Sequence, residues 1–85
     1  MRVTILYFAR LREAIGEPRE TLELPAAVRT LGELQSWLMA RGDPWHDAFT
    51  RIQPIRMALD QAVRGAEAPL QDGAEVAFFP PVTGG

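Results

Sequence analysis

The sequence predicts an α+β roll: a mixed sheet with one main helix packed on one of its faces. Three observations lead there. Alternating apolar segments stand near the two ends of the chain, Arg2 to Phe8 and Val76 to Phe79. Between them lies one strongly signalled amphipathic helix, beginning at Thr30. The remaining apolar runs are of strand length and are bounded by Pro, Gly and Asp turn signals. A sheet with its main helix on one side is the layer arrangement these pieces can build.

Each element follows from its residues. In the first strand Val3, Ile5 and Tyr7 share one face and Leu6 and Phe8 the other. A strand apolar on both faces is either covered twice or carries a patch for a partner. Ala9 to Ile15 reads as a short helix, with Leu11 and Ile15 four apart and Gly16 as its left-handed stop. Arg19 to Leu24 is a half-buried strand in which Leu22 and Leu24 alternate with Thr21 and Glu23; Pro25 ends it. Thr30 and Glu33 form a capping box for the long helix, whose stripe is Leu31, Leu34, Trp37 and Leu38. Arg41 lies in its last turn, Gly42 just beyond, and Pro44 follows. One further helical turn is expected within Pro44 to Arg51, with Trp45 and Phe49 turned inward. Ile55 to Leu59 is a strand, Asp60-Gln61 a tight turn and Ala62 to Arg64 its partner strand. Gly65 to Pro69 is loop, and Asp72-Gly73 turns the chain into the final strand. If the first and last strands lie side by side, Leu6, Phe8, Ala77 and Phe79 share the face away from the helix. Such an apolar patch marks a partner surface.

Composition bounds the function. Eighty-five residues make one domain, here residues 1–79, followed by an extended tail at 80–85. Hydrophobic residues make up 47% and charged residues 24%, a globular and not a disordered balance. No apolar run is long enough for a membrane span and no leader pattern is visible, so a cytoplasmic location without membrane contact is expected. The absence of cysteine excludes disulfides and thiolate chemistry. A net charge of −2 argues against nucleic acid as a partner. All nine basic residues are arginine. A GC-rich genome is the simplest cause, although a chain whose end becomes an activated acyl group would also avoid self-acylation by lacking side-chain amines.

The final ten residues read Val-Ala-Phe-Phe-Pro-Pro-Val-Thr-Gly-Gly. Pro80 and Pro81 lack N–H groups and stop the strand, leaving the chain extended and stiff. Val82 and Thr83 lead to Gly84 and Gly85, which have no side chains and can enter a slot that rejects any Cβ. Pro80 to Gly85 can reach roughly 20 Å when fully extended. The carboxylate of Gly85 is the group this arm would present; the alternative is a frayed end without function.

A search for catalytic or metal-binding groups within the chain is mostly negative. His46 stands alone without a second ligand at metal spacing, and Ser36 has no matching base. Glu13, Glu17, Glu20, Glu23, Asp43, Asp47 and Glu67 read as solvated acids, and Arg10, Arg12 and Arg19 as solvated bases. Gly16, Gly32, Gly42 and Gly65 are too scattered for a phosphate loop. Trp37 reads as core.

The ending Asp72-Gly73 with Glu75 through Gly85 resembles that of the MoaD-type proteins, the small sulfur-carrier subunits of molybdopterin synthase. Leu6 to Glu13 resembles the start of that family, and Ala58-Leu59-Asp60 is similar to its Ala-Val-Asn turn. Asp60 departs from the usual Asn, and Ala74 stands where an acidic residue is common. The resemblance implies a ubiquitin-like β-grasp fold. It also implies that ATP and an E1-like adenylating enzyme activate Gly85, and that a sulfurtransferase supplies the sulfur of a thiocarboxylate. The tail would then enter the large synthase subunit, in a hetero-oligomer expected to be a heterotetramer, and give its sulfur to cyclic pyranopterin monophosphate. The catalytic residues would belong to that subunit. Phe8 and Phe79 would lie in the partner interface, with Leu6 and the segment Pro80 to Thr83. A carrier for thiamine or thiolated-nucleoside synthesis and a binding module with an inert tail are the alternatives.

Overall fold

The computed structural model describes residues 1–81; Val82, Thr83, Gly84 and Gly85 lie outside the described residues. Eight elements follow in order: β1 (Arg2–Tyr7), α1 (Ala9–Ile15), β2 (Arg19–Glu23), α2 (Leu31–Ala40), α3 (Trp45–Arg51), β3 (Arg56–Leu59), β4 (Ala62–Arg64) and β5 (Glu75–Phe79). The strands form one mixed sheet in the order β2-β1-β5-β3-β4. The central pair, β1 and β5, is parallel, and the other three pairings are antiparallel. This is the expected α+β roll of the ubiquitin-like β-grasp type. Trp45 to Arg51 is a complete helix where a single turn is expected, and β1, β2 and β3 are each one residue shorter than the sequence predicts.

Alternation places the core on one side of the sheet. Val3, Ile5 and Tyr7 of β1 join Val76 and Phe78 of β5 in a cluster with Leu11 and Ile15 of α1, Leu31, Leu34 and Leu38 of α2, and Phe49 of α3. Phe78 packs edge-on to Phe49 at 5.1 Å between ring centres. Trp37 sits half-buried at the margin of this core.

The signals at the element ends act as their chemistry requires. Gly16 adopts φ +90° and its N–H bonds the Arg12 carbonyl at 2.9 Å, closing α1. At the start of α2 the Thr30 hydroxyl accepts from the Glu33 N–H, while the Glu33 carboxylate accepts from the N–H groups of Arg29 and Thr30. The next two donors, Leu31 and Gly32, bond the carbonyls of Ala68 and Ala66. The strand-linking loop therefore lies against the foot of the helix, and a Cβ at Gly32 would fall 3.0 Å from the Ala66 methyl. Asp60 and Gln61 both have positive φ, as a two-residue hairpin turn demands. The Asp60 carboxylate also accepts from the Glu75 N–H at 2.9 Å, tying that turn to β5.

Glu20 corrects the sequence reading. Its pairing with Ile5 puts it on the inner face, and its side chain is only 15% exposed. It accepts from the Tyr7 hydroxyl at 2.7 Å, from the Trp45 indole at 3.1 Å and from Arg41 at 3.2 and 3.3 Å. Arg41 in turn lies 3.8 Å from the centre of the Trp45 ring. A carboxylate tolerates this position because these donors replace its water. The cluster pins β1, β2, α2 and α3 together at one corner of the core.

Burial, followed by the hydrogen bond to Glu20 and the charge of Glu20, raises the pKa of Tyr7 well above its ordinary value. Above about pH 10 the unfolded chain ionises its tyrosine while the folded chain does not. Stability contributed by Tyr7 is thus complete below that pH and is lost above it, by about 1.4 kcal/mol for each further unit. Urea unfolding across this range should show the decline in the parent and a flatter profile for Tyr7→Phe. Tyr7 is the only tyrosine, so tyrosinate absorbance should develop together with unfolding.

Candidate partner-binding face and tail root

The face of the sheet away from the helices is built by the complementary set of alternating residues. Residues directly opposite one another in neighbouring strands share a face. Leu6 stands opposite Arg19 on β2 and Ala77 on β5; Ala77 stands opposite Ala58 on β3, and Ala58 opposite Val63 on β4. The row Leu6–Ala77–Ala58–Val63 is therefore apolar across four strands. Next to it, Phe79 stands opposite Arg56, and Phe8 follows Tyr7 on the other side, its N–H donating to the Phe78 carbonyl at 3.2 Å.

Phe8 is 46% exposed and Val63 66%, the two large hydrophobic side chains most open to solvent among the described residues. Leu6, Ala77 and Phe79 are half-buried and Ala58 is buried. Alanines occupy the middle of the row and larger side chains its flanks, so the face dips between Phe8, Phe79 and Val63. Removing apolar surface from water stabilises a complex by about 25 cal/mol per Å², and a patch gathered on one face offers that gain to a partner.

Local backbone geometry fixes Phe8. Ala9 adopts φ +53°, a left-handed conformation that costs a non-glycine residue about 1–2 kcal/mol. The kink turns β1 directly into α1. The Phe8 carbonyl then accepts from the N–H groups of Leu11 and Arg12 at 3.1 and 3.3 Å. With its N–H and carbonyl both bonded, the residue keeps its ring at the edge of the apolar face.

The opposite end of this face is polar. Thr4 and Thr21 share a hydrogen bond at 3.3 Å, Glu75 stands opposite Thr4, and Arg2 pairs with Glu23 at 3.3 Å. At the apolar end β5 finishes with Phe79. Pro80 is buried against the domain and Pro81 is half-buried. The sequence-predicted Leu6, Phe8 and Phe79 thus meet beside Pro80 and Pro81. Val82, Thr83, Gly84 and Gly85, also predicted as site residues, lie outside the described residues.

Sequence reasoning missed Ala58 and Val63. The Asp60-Gln61 turn sets them opposite one another, but their place beside Ala77 depends on β3 pairing with β5, a contact between distant segments. His46 and Ser36 are exposed, and no cluster of His, Asp or Glu suited to a metal ion occurs among the described residues. A depression of about 350 Å³ lined by Leu59, Asp60, Ala62, Arg64, Pro69 and Gln71 lies at the β3–β4 hairpin. No helix among the described residues is long and apolar enough to cross a membrane.

Comparison with known proteins adds four findings. A model of the ThiS family matches residues 5–85. The molybdopterin synthase sulfur carrier subunit of Escherichia coli (strain K12) is 37% identical over 83 residues, covering 98% of this chain and 99% of that protein. Among solved structures, the complex of subunits 1 and 2 of molybdopterin-converting factor from Helicobacter pylori contains a chain with TM-score 0.67 and 23% identity, each fully covered. The small archaeal modifier protein 1 of H. volcanii gives TM-score 0.75 at 21% identity, covering 95% of this chain and 98% of that one.

Residues of the two faces should respond to substitution differently. Phe78→Ala empties a packed site and should cost about 3–5 kcal/mol. Phe8→Ser and Val63→Thr alter exposed positions and should change stability by no more than about 0.5 kcal/mol. Urea unfolding of the three variants checks the assignment of the two faces. A Val63→Thr cost matching that of Phe78→Ala would reverse it.

Proposed function

The chain belongs to the ThiS family, and on that footing we propose that it is the sulfur carrier subunit of a molybdopterin synthase. The structural observation that carries the proposal is the position of the apolar face. It lies at the root of the tail, so a partner bound there is presented with the segment from Pro80 to Gly85. Full-length likeness to the E. coli carrier subunit supports this reading, as does the Phe-Phe-Pro-Pro-Val-Thr-Gly-Gly ending.

The chemistry follows from a glycine carboxylate at the end of a narrow arm. At neutral pH a terminal carboxylate, with an ordinary pKa of about 3.5, is ionised and resists nucleophilic attack. An E1-like enzyme would join it to the α-phosphate of ATP, releasing pyrophosphate and leaving an acyl adenylate at Gly85. The terminal sulfur of a sulfurtransferase persulfide would displace AMP, and a thiol would then cleave the resulting acyl disulfide, forming a new disulfide and releasing the thiocarboxylate. The large subunit would bind the outer face, receive the tail and catalyse sulfur transfer to cyclic pyranopterin monophosphate. Each carrier brings one sulfur, so a dithiolene needs two loadings; a heterotetramer with two carriers suits that count. Gly84 and Gly85 keep the arm free of Cβ atoms that a tight channel would reject.

Two experiments test this. The chain, its activating enzyme, Mg²⁺-ATP and a sulfur donor should together yield an oxygen-to-sulfur mass increase that fragmentation assigns to Gly85. Gly85→Ala should reduce the yield sharply, since one methyl group obstructs a slot fitted to glycine. The large subunit and cyclic pyranopterin monophosphate should return the mass to its starting value. Formation without discharge would make the chain a carrier for a different pathway; no formation at all would leave a binding module with an inert tail.

Docking is tested separately. Burying either aromatic in the complex is worth about 1.5–3 kcal/mol, so Phe8→Asp and Phe79→Asp should each weaken binding to the large subunit by at least about tenfold. Calorimetric titration measures this. Parental affinity in both variants would remove the outer face from the interface.

A further inference from the structure

Arg19 and Arg56 flank the apolar face on opposite sides, and we infer that the surface docking there carries two separate carboxylate sites that receive them. The inference rests on the proposed docking of the large subunit and adds the chemistry that the partner must present. Arg19 closes the apolar row on β2, opposite Leu6; Arg56 stands opposite Phe79 on β3. Both are exposed. Among the described residues the ion pairs are made by Met1, Arg2, Arg41 and Arg51, and neither Arg19 nor Arg56 takes part.

The face is polarised along the strands. Glu23 and Glu75 stand at the end where β1 begins, and Glu23 is already held by Arg2. The cations stand at the end where the tail leaves. Net charge is −2, so the chain as a whole would not draw an acidic partner; a local arrangement must. A partner that covers the apolar row removes water from the guanidinium groups beside it. That removal is unfavourable unless acceptors replace the water, and carboxylates are the acceptors that match a guanidinium in charge and geometry.

Spacing makes the two sites separate. Arg19 and Arg56 are three strand positions apart, at ~4.8 Å each, and offset by two residues along the sheet, so their Cα atoms lie about 16 Å from one another. This exceeds the screening length of about 8 Å at physiological ionic strength. With both side chains standing upright on the sheet, each cation meets its own carboxylate. The pair therefore fixes the orientation of the partner as well as attracting it.

The chain has no lysine, which permits a direct test. Arg19→Lys and Arg56→Lys keep the charge and each introduce a single side-chain amine. Treatment of the complex with a carbodiimide should join residues 19 and 56 to carboxylates of the large subunit, as mapped by mass spectrometry. Arg29→Lys, beside the N-cap of α2, should give no such product. The double variant Arg19→Glu, Arg56→Glu should associate at least about tenfold more slowly at low ionic strength, with a weaker salt dependence and a dissociation rate changed much less. Cross-links no more frequent than at residue 29, or a double variant that associates like the parent, would overturn the inference while leaving docking intact. A parent chain that does not bind the large subunit would overturn the functional reading, and this inference with it.

Discussion

β1 and β5 run parallel at the centre of the sheet, and the other elements take their places from that pairing. Parallel neighbours cannot be joined by a tight turn, so the connection must cross over. Here the crossover contains every element between Phe8 and Ala74. Its helices cover one face, which becomes the core through Val3, Ile5, Tyr7, Val76 and Phe78. The other face carries Leu6 and Ala77, which no helix covers. The same register therefore decides both what holds the domain together and which apolar side chains stay on the uncovered face. It also places Phe8 and Phe79 side by side at the end from which the tail departs.

That arrangement separates the core from the outer face along a two-residue period. Phe78 is fully buried and Phe79 is its immediate neighbour on the other side. A one-residue slip of β5 would put Phe79 in the place of Phe78, but it would also turn Glu75 and Ala77 toward the core in place of Val76 and so bury a carboxylate where a branched apolar side chain packs. Several anchors hold the register in place. The Asp60 turn grips the Glu75 N–H, the Gly73 N–H bonds the Arg2 carbonyl at 2.7 Å, and the Arg2 N–H bonds the Asp72 carboxylate at 2.8 Å.

Much of this was legible because local patterns specify local structure. Alternation separates Val3, Ile5 and Tyr7 from Leu6 within β1, and Phe78 from Phe79 within β5; which of these sets share a face follows only once the two strands are neighbours. Thr30 with Glu33, Gly16, and Asp60-Gln61 mark their caps and turn by side-chain chemistry that does not depend on the rest of the fold. Illegible features came from distant contacts. Glu20 reads as a surface acid until Tyr7, Arg41 and Trp45 are brought around it from three other elements. Val63 reads as one residue of a short hairpin until β3 pairs with β5. β1 ends one residue earlier than alternation predicts, because Ala9 takes a left-handed conformation that alanine does not signal. Helix α3 is longer than its sequence signals, because Trp45 and Phe49 give only one helical spacing. Of the candidate site, Leu6, Phe8 and Phe79 could be placed from alternation; the role of Gly85 rests on tail composition and family likeness.

The polarity of the central pair also determines how the domain bears mechanical load. β1 begins at one end of the sheet and β5 finishes at the other. Tension drawn between the start of the chain and the tail root acts along both strands in opposite directions. It shears the ladder from Thr4–Glu75 to Tyr7–Phe78 as a unit, and the bonds share the force. An antiparallel pair at the termini would instead be peeled one bond at a time. A partner that grips the tail can thus pull against a clamp, and release of the tail need not begin by stripping the last strand from the sheet.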